Sequence, residues 1–146
     1  MKKVPESKTA NIAEKRLRLR MMRETVEHVQ KHGELWIPLM HLVATFIDGL
    51  AKGKSGETRR AYLTYLKAHF PELCADLGAE AFYSYFRCAS VHEFAIRPPF
   101  ALWRESDMGV EYAETVEIDG VEFTALNIDR LVRDFLSHLR KVEASQ

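Results

Sequence analysis

Cysteine is almost missing from this 146-residue chain: Cys74 and Cys88 are the only two, and they do not form a C-x-x-C pair. A disulfide framework and a cysteine-rich zinc module are therefore excluded. Net charge is missing as well, because 21 basic residues balance 21 acidic ones. No clean apolar run reaches the roughly 18 residues of a membrane span. The most apolar stretch, Leu35 to Leu50, is broken by Pro38, His41 and Asp48. The N-terminal lysines are not followed by the apolar core of a secretory signal, so the expected location is cytoplasmic. The chain has neither a G-x-G-x-x-G nor a G-x-x-x-x-G-K-[ST] loop, and neither H-E-x-x-H nor G-x-S-x-G. No cofactor, resident metal or serine nucleophile is expected from such signatures.

What is present is a hydrophobic fraction of 47% with 10% aromatics. That is enough to bury one core within a single domain, 1–146, and too much for a disordered chain. The neutral total hides a gradient. Residues 1–32 carry nine Lys/Arg against four Glu, whereas residues 104–146 carry five basic against ten acidic side chains. Such ends attract each other within a chain or between two copies, and the basic end would meet a polyanion. A solvated helix face is the plainer reading of the same charges.

The apolar spacing predicts a mainly α fold: a helical bundle of about five helices with a β-hairpin inserted before the last. Residues 1–9 read as a loose tail and 10–95 as the bundle. Asn11 with Glu14 forms a capping-box pattern, and Ile12, Leu17, Leu19, Met21, Met22, Val26 and Val29 follow at near-helical spacing up to Gly33. Pro38 suits the first turn of a second helix that is apolar nearly all round. Gly49, Gly53 and Gly56 mark its end and a lysine-bearing loop. A third helix begins near Glu57 and must stop by Pro71. A turn follows at 72–77, and then a fourth, aromatic helix over about 79–91. Residues 98–126 read as loop and hairpin, with Asp119-Gly120 between two alternating runs as the turn signal. Asn127 caps a final helix, 127–142, with Ile128, Leu131, Val132, Phe135, Leu136 and Leu139 on one stripe.

The segment carrying the most chemistry is 82–94, FYSYFRCASVHEF. An arginine inside an aromatic helix is costly unless its guanidinium reaches a carboxylate, phosphate or water. His92 stands five residues after Arg87, where the helix should end. In an ideal α-helix the two Cβ directions diverge by roughly 140°. Arginine on a phosphate and histidine moving a proton form a minimal set for cutting a phosphodiester without metal. Ser84, Tyr83, Ser90 and Glu93 stand nearby as possible lining. An alternative explains Arg87 without catalysis: it pairs with Asp48, an acid in an apolar helix that needs a partner of its own. His92 would then be a helix C-terminal residue favoured by the macrodipole.

Arg87-x-x-x-x-His92 near the end of a helix, inside a helical bundle, resembles the R-x4-6-H signature of the HEPN superfamily. The hydrophobic lead-in and the Val91-His92 pair add to the likeness, which covers about residues 10–95 and the last helix. The resemblance implies a metal-independent RNase working as a homodimer, two copies of the motif facing each other. Arg87 would then bind and polarise the scissile phosphate, and His92 would act as general base or acid, with Asp48, Ser84 and Glu93 as candidate support. The chain departs from the catalytic pattern at Cys88, where a polar Asn, Asp or His often follows the arginine. Other members of the superfamily are non-catalytic. A protein-interaction module of a regulatory or defence system is therefore the alternative. DNA binding through Arg16, Arg18, Arg20 and Arg23 is a third reading. His28 and His32, at i and i+4, would bind a metal only with a third ligand that spacing does not supply.

Overall fold

In a computed structural model, residues 8–53, 56–93 and 95–146 are described, with side chains from Asn11 onward. Most of the expected tail, part of the glycine-lysine loop (Lys54 and Ser55) and Phe94 lie outside the described residues. The elements in order are α1 (Lys8–Gln30), α2 (Trp36–Ala51), α3 (Thr58–His69), α4 (Pro71–Asp76), α5 (Ala79–Ala81), a π-helical segment π1 (Phe82–Cys88), α6 (Ala89–Glu93), β1 (Phe100–Trp103), α7 (Glu105–Met108), β2 (Ala113–Ile118), β3 (Val121–Asn127) and α8 (Ile128–Ala144). The fold is mainly α. Five long helical stretches, counting α5, π1 and α6 as one rod, surround a core, and a three-stranded sheet lies beside them. No helix among the described residues is long and apolar enough to cross a membrane.

Helix α1 starts at Lys8, so Asn11 lies inside it rather than at its cap. The capping box does not form because the Glu14 carboxylate turns forward to Arg18, 2.9 Å away. The stripe read along α1 also divides. Leu19 and Val26 are buried with Met22 and Val29 packed beside them, whereas Ile12, Leu17 and Met21 stay exposed. Pro38 falls in the first turn of α2, whose Leu39, Met40, Val43, Ala44 and Ile47 are buried.

Phe70 ends α3, but the expected turn at 72–77 is a helix, α4, with Pro71 at its first position. Proline ends one helix and opens the next because its fixed φ suits a first turn, where the missing N–H is no loss. The fourth helix is not a plain α-helix either. Seven residues of it, Phe82–Cys88, wind as a π-helix, with hydrogen bonds reaching one residue further than in an α-helix. The rotation expected between Arg87 and His92 from α-helical geometry therefore does not describe the first part of that interval.

The hairpin is present, with Asp119 at φ 52° and Gly120 at φ 79°. Both signs are positive, as a type I′ turn demands and as the Asp-Gly dipeptide allows. It is not alone, however. Residues 100–103, expected to be loop, form β1 and pair parallel with β3, giving the order β1-β3-β2 with Phe100 beside Thr124 and Trp103 beside Asn127. The short helix α7 lies in the connection from β1 to β2.

Asn127 closes β3 and caps α8 in one residue. It is fully buried; its Oδ1 accepts from the Arg130 amide at 3.0 Å, and its Nδ2 donates to the carbonyls of Gly109 and Glu111 at 2.9 and 3.1 Å. All six apolar positions read on α8 are buried. Replacing Asn127 by alanine removes a cap and the donor to the Gly109 and Glu111 carbonyls. It is expected to cost about 2 kcal/mol, read as the shift of a urea unfolding midpoint at unchanged slope; a shift of a few tenths would show the cap to be dispensable.

Candidate functional site

Asp48 lies near the end of α2 and Arg87 near the end of π1, each a charge in an apolar helix. They meet: Arg87 Nε donates to Asp48 Oδ2 at 2.8 Å. The arginine side chain is 14% exposed and the carboxylate 22%, so the pair is largely removed from water. The guanidinium carbon stands 5.2 Å from the ring centre of Tyr83 and 6.0 Å from that of Tyr62, distances at which an aromatic face attracts a cation. Its Nη1 donates weakly to the Cys88 sulfur at 3.6 Å. Burial lowers the basicity of Arg87, but the hydrogen bonds to Asp48 and Cys88 outweigh it, and the group is held more firmly protonated than usual. Burial also pushes the phenols of Tyr62 and Tyr83 up, Asp48 adding to the effect on both.

Two atoms of this pair remain unengaged. Asp48 Oδ1 is buried with no hydrogen-bond partner. Arg87 Nη2 makes no hydrogen bond among the described residues, because its Nε and Nη1 take the contacts. The bridge thus orients the guanidinium while leaving one terminal amine for a further acceptor.

The other predicted residues lie elsewhere. His92 is exposed on α6 and shares no hydrogen bond, ion pair or ring contact with Arg87 among the described residues. Glu93 is exposed and binds Arg97, whose Nε donates to it at 3.1 Å, and this contact lowers its pKa. Ser84 is half-buried. Of the five candidates, only Arg87 and Asp48 are brought together. On the same rod Tyr85 is 36% and Val91 39% exposed, and the charged pair Glu93–Arg97 follows His92 in the chain.

Sequence reasoning missed a second rung across the same seam. His41 Nδ1, on α2, lies 3.1 Å from both the carbonyl oxygen and the hydroxyl of Ser90, which is buried. The available signal was the seven-residue spacing of His41 and Asp48, matched by the three-residue spacing of Arg87 and Ser90. Each puts two polar groups near one face of an apolar rod. His28 and His32 stand edge to face, 5.3 Å apart, and no cluster of three His, Cys, Asp or Glu suited to a metal occurs among the described residues.

A histidine pair between α3 and α8 was also missed. The rings of His69 and His138 are 4.7 Å apart, and Tyr65 sits against both. The Tyr65 hydroxyl lies 2.5 Å from His138 Nε2. Burial, His69 and Lys141 together push His138 down from 6.5 to about 4, and burial pushes Tyr65 up to about 12. A neutral His138 therefore accepts from the phenol. Compared with known protein families, curated proteins and solved structures, the chain matches none.

Two predictions follow from these contacts. Arg87→Met leaves the Asp48 carboxylate buried and unpaired and is expected to cost about 2–3 kcal/mol, whereas the double variant with Asp48→Leu recovers most of the loss. Urea unfolding of the two single variants and the double variant decides it, and simple additivity would contradict the bridge. Because the folded pKa of His138 lies below the unfolded one, its contribution to stability is present above pH 6.5 and is lost as pH falls toward 4. With the half-exposed ring screened by solvent, the loss is expected to be about 1 kcal/mol. His138→Phe should flatten the fall in urea midpoint between pH 7 and pH 4.5 relative to the parent chain; an unchanged fall would assign it to other groups.

Proposed function

We propose that this chain is a HEPN-like helical domain that acts on RNA as a homodimer, cutting it without metal. The observation that carries the reading is the Arg87 guanidinium, held by Asp48 with Nη2 left open. A cation whose direction is already fixed binds a phosphate oxygen with less ordering cost than a free arginine. His92 is the complementary part: an exposed imidazole at the end of the same rod. Within one copy the two groups do not touch. A two-fold axis through the patch around Tyr85 and Val91 would bring the histidines and guanidinia of two copies into one cleft.

In that cleft the ribose 2′-hydroxyl loses its proton to one His92 imidazole and attacks the adjacent phosphorus. The P–O5′ bond breaks, and the leaving oxygen takes a proton from the imidazolium of the other copy. The products are a 2′,3′-cyclic phosphate and a 5′-hydroxyl. Arg87 stabilises the charge that gathers on the phosphoryl oxygens.

A second reading has its own support. The Asp48 carboxylate neutralises much of the charge that Arg87 would offer, and a neutralised pair fits a non-catalytic interaction module equally well. Incubation of the purified chain with total RNA in EDTA separates the two. Cleavage is expected, with Arg87→Ala and His92→Ala each lowering the rate at least about 100-fold. Equal behaviour of the parent and both variants would remove the nuclease reading, and a stoichiometric co-purifying protein with RNase-inactive material would favour the module. Sedimentation of Val91→Glu tests the dimer, which should dissociate.

A further inference from the structure

Helices α1, α2, α3 and α8 enclose a cavity of about 260 Å³ away from the Arg87 seam. Its walls are largely apolar, formed by Leu19, Met22, Leu50, Val142 and the ring of Tyr65, with His69 and Gln146 completing the lining. Its mouth is cationic: Lys15, Arg18 and Lys52 line it, and no acidic side chain does. The same three cations also line an adjoining outer cleft of about 300 Å³, together with Glu14. Glu14 is paired to Arg18 at 2.9 Å, whereas Lys15 and Lys52 make no hydrogen bond or ion pair among the described residues.

Two backbone features border this chamber. Lys52 follows α2 in the left-handed region, φ 53° and ψ 48°, a conformation usually given to glycine at a helix end. A lysine is held there although Gly53 stands one residue away. Gly49 lies in the last turn of α2, where glycine is a weak helix former. A β-carbon added there would meet only the flexible methyl end of Met22, at 3.4 Å. Packing therefore does not require glycine at this position; the missing side chain leaves the cavity unfilled.

We propose that the cavity binds a small amphipathic anion, a carboxylate carried on an apolar body. At about 30 Å³ per water-sized group, the chamber holds a chain of roughly eight methylene-sized groups. The body lies against Leu19, Met22, Leu50 and Val142, and the head lies where the chamber meets the outer cleft, between Lys15 and Lys52. The apolar walls give affinity by removing the chain from water, and the two lysines select the sign of the head. None of Asp48, Arg87 or His92 lines the cavity, so the site stands or falls separately from the RNase reading.

Isothermal titration of the full chain at low salt with octanoate, octylammonium and acetate tests it. Octanoate is expected to bind saturably at one site, with acetate and octylammonium at least about tenfold weaker. Lys15→Ala with Lys52→Ala should weaken octanoate at least about tenfold at unchanged circular dichroism, since both side chains are exposed. Gly49→Leu should abolish binding by filling the chamber; if that chain does not fold, Val142→Phe fills it from α8. Octylammonium binding as well as octanoate, octanoate binding that survives a filled chamber, or an absence of saturation at millimolar octanoate would each overturn the proposal.

Discussion

Asp48 and Arg87 are the charges in two helices whose inward residues are otherwise mostly apolar, so neither α2 nor the π1–α6 rod can be buried alone without stranding a charge. Their meeting at 2.8 Å ties the burial of one helix to the arrival of the other. Hydrophobic packing by Phe82, Phe86, Met40 and Ile47 supplies most of the driving force but sets register poorly, because such side chains tolerate sliding. A carboxylate and a guanidinium in a dry seam do not, since a displacement of one residue leaves two unpaired charges. The His41–Ser90 contact is a second fixed point on the same pair of rods.

How much of the fold the sequence disclosed depended on whether the signal was local. Asp119-Gly120 needed only two positive φ angles, and Asn127 only an amide three residues away; both stand as read. The α8 stripe was legible because one face of that helix is buried along its length. On α1 the same rule failed for Ile12, Leu17 and Met21, because a list of apolar residues spread over two faces does not state which face the bundle covers. The parallel pairing of β1 with β3 was not legible: it joins Phe100 to Thr124 across α7 and β2, and nothing within residues 100–103 names that partner. The π-helix was hidden for a related reason. Its wider turn brings Phe82, Tyr83 and Phe86 into the core, a winding that the apolar spacing of an ordinary α-helix does not signal.

The candidate site was half legible on the same grounds. Asp48 could be matched to Arg87 beforehand because two costly groups in apolar helices constrain each other at any separation in sequence. No such demand acts on an exposed imidazole, so His92 was placed by spacing alone, and it does not join the guanidinium within one copy. His41, Ser90 and the His69–His138 pair carried no constraint visible along the chain. A neutral histidine is tolerated at a half-buried seam, and only the approach of two helices makes it a partner.

The opposed charges of the two ends bear on what could approach this surface. Part of the opposition is resolved inside the fold: Arg23 Nε of α1 lies 2.9 Å from Glu143 of α8, and Arg140 of α8 reaches back to Glu27 at 3.2 Å. Of the basic groups of α1 these contacts take up Arg23; Arg20 faces Glu24 at 3.8 Å and Arg16 donates to the Gln146 carbonyl oxygen, so the first turns keep an excess of cations, with Lys15 unpaired among the described residues. The hairpin is the opposite pole, with Glu114, Glu117, Asp119 and Glu122 exposed. A polyanion would therefore be steered toward the α1 end and away from the hairpin, by a field that salt weakens within about 10 Å. The Arg87 guanidinium does not contribute to that long-range field, because Asp48 cancels it at a distance. Its action is confined to hydrogen-bond range, which on the proposed reading would separate the groups that attract a strand from the one that holds a particular phosphate.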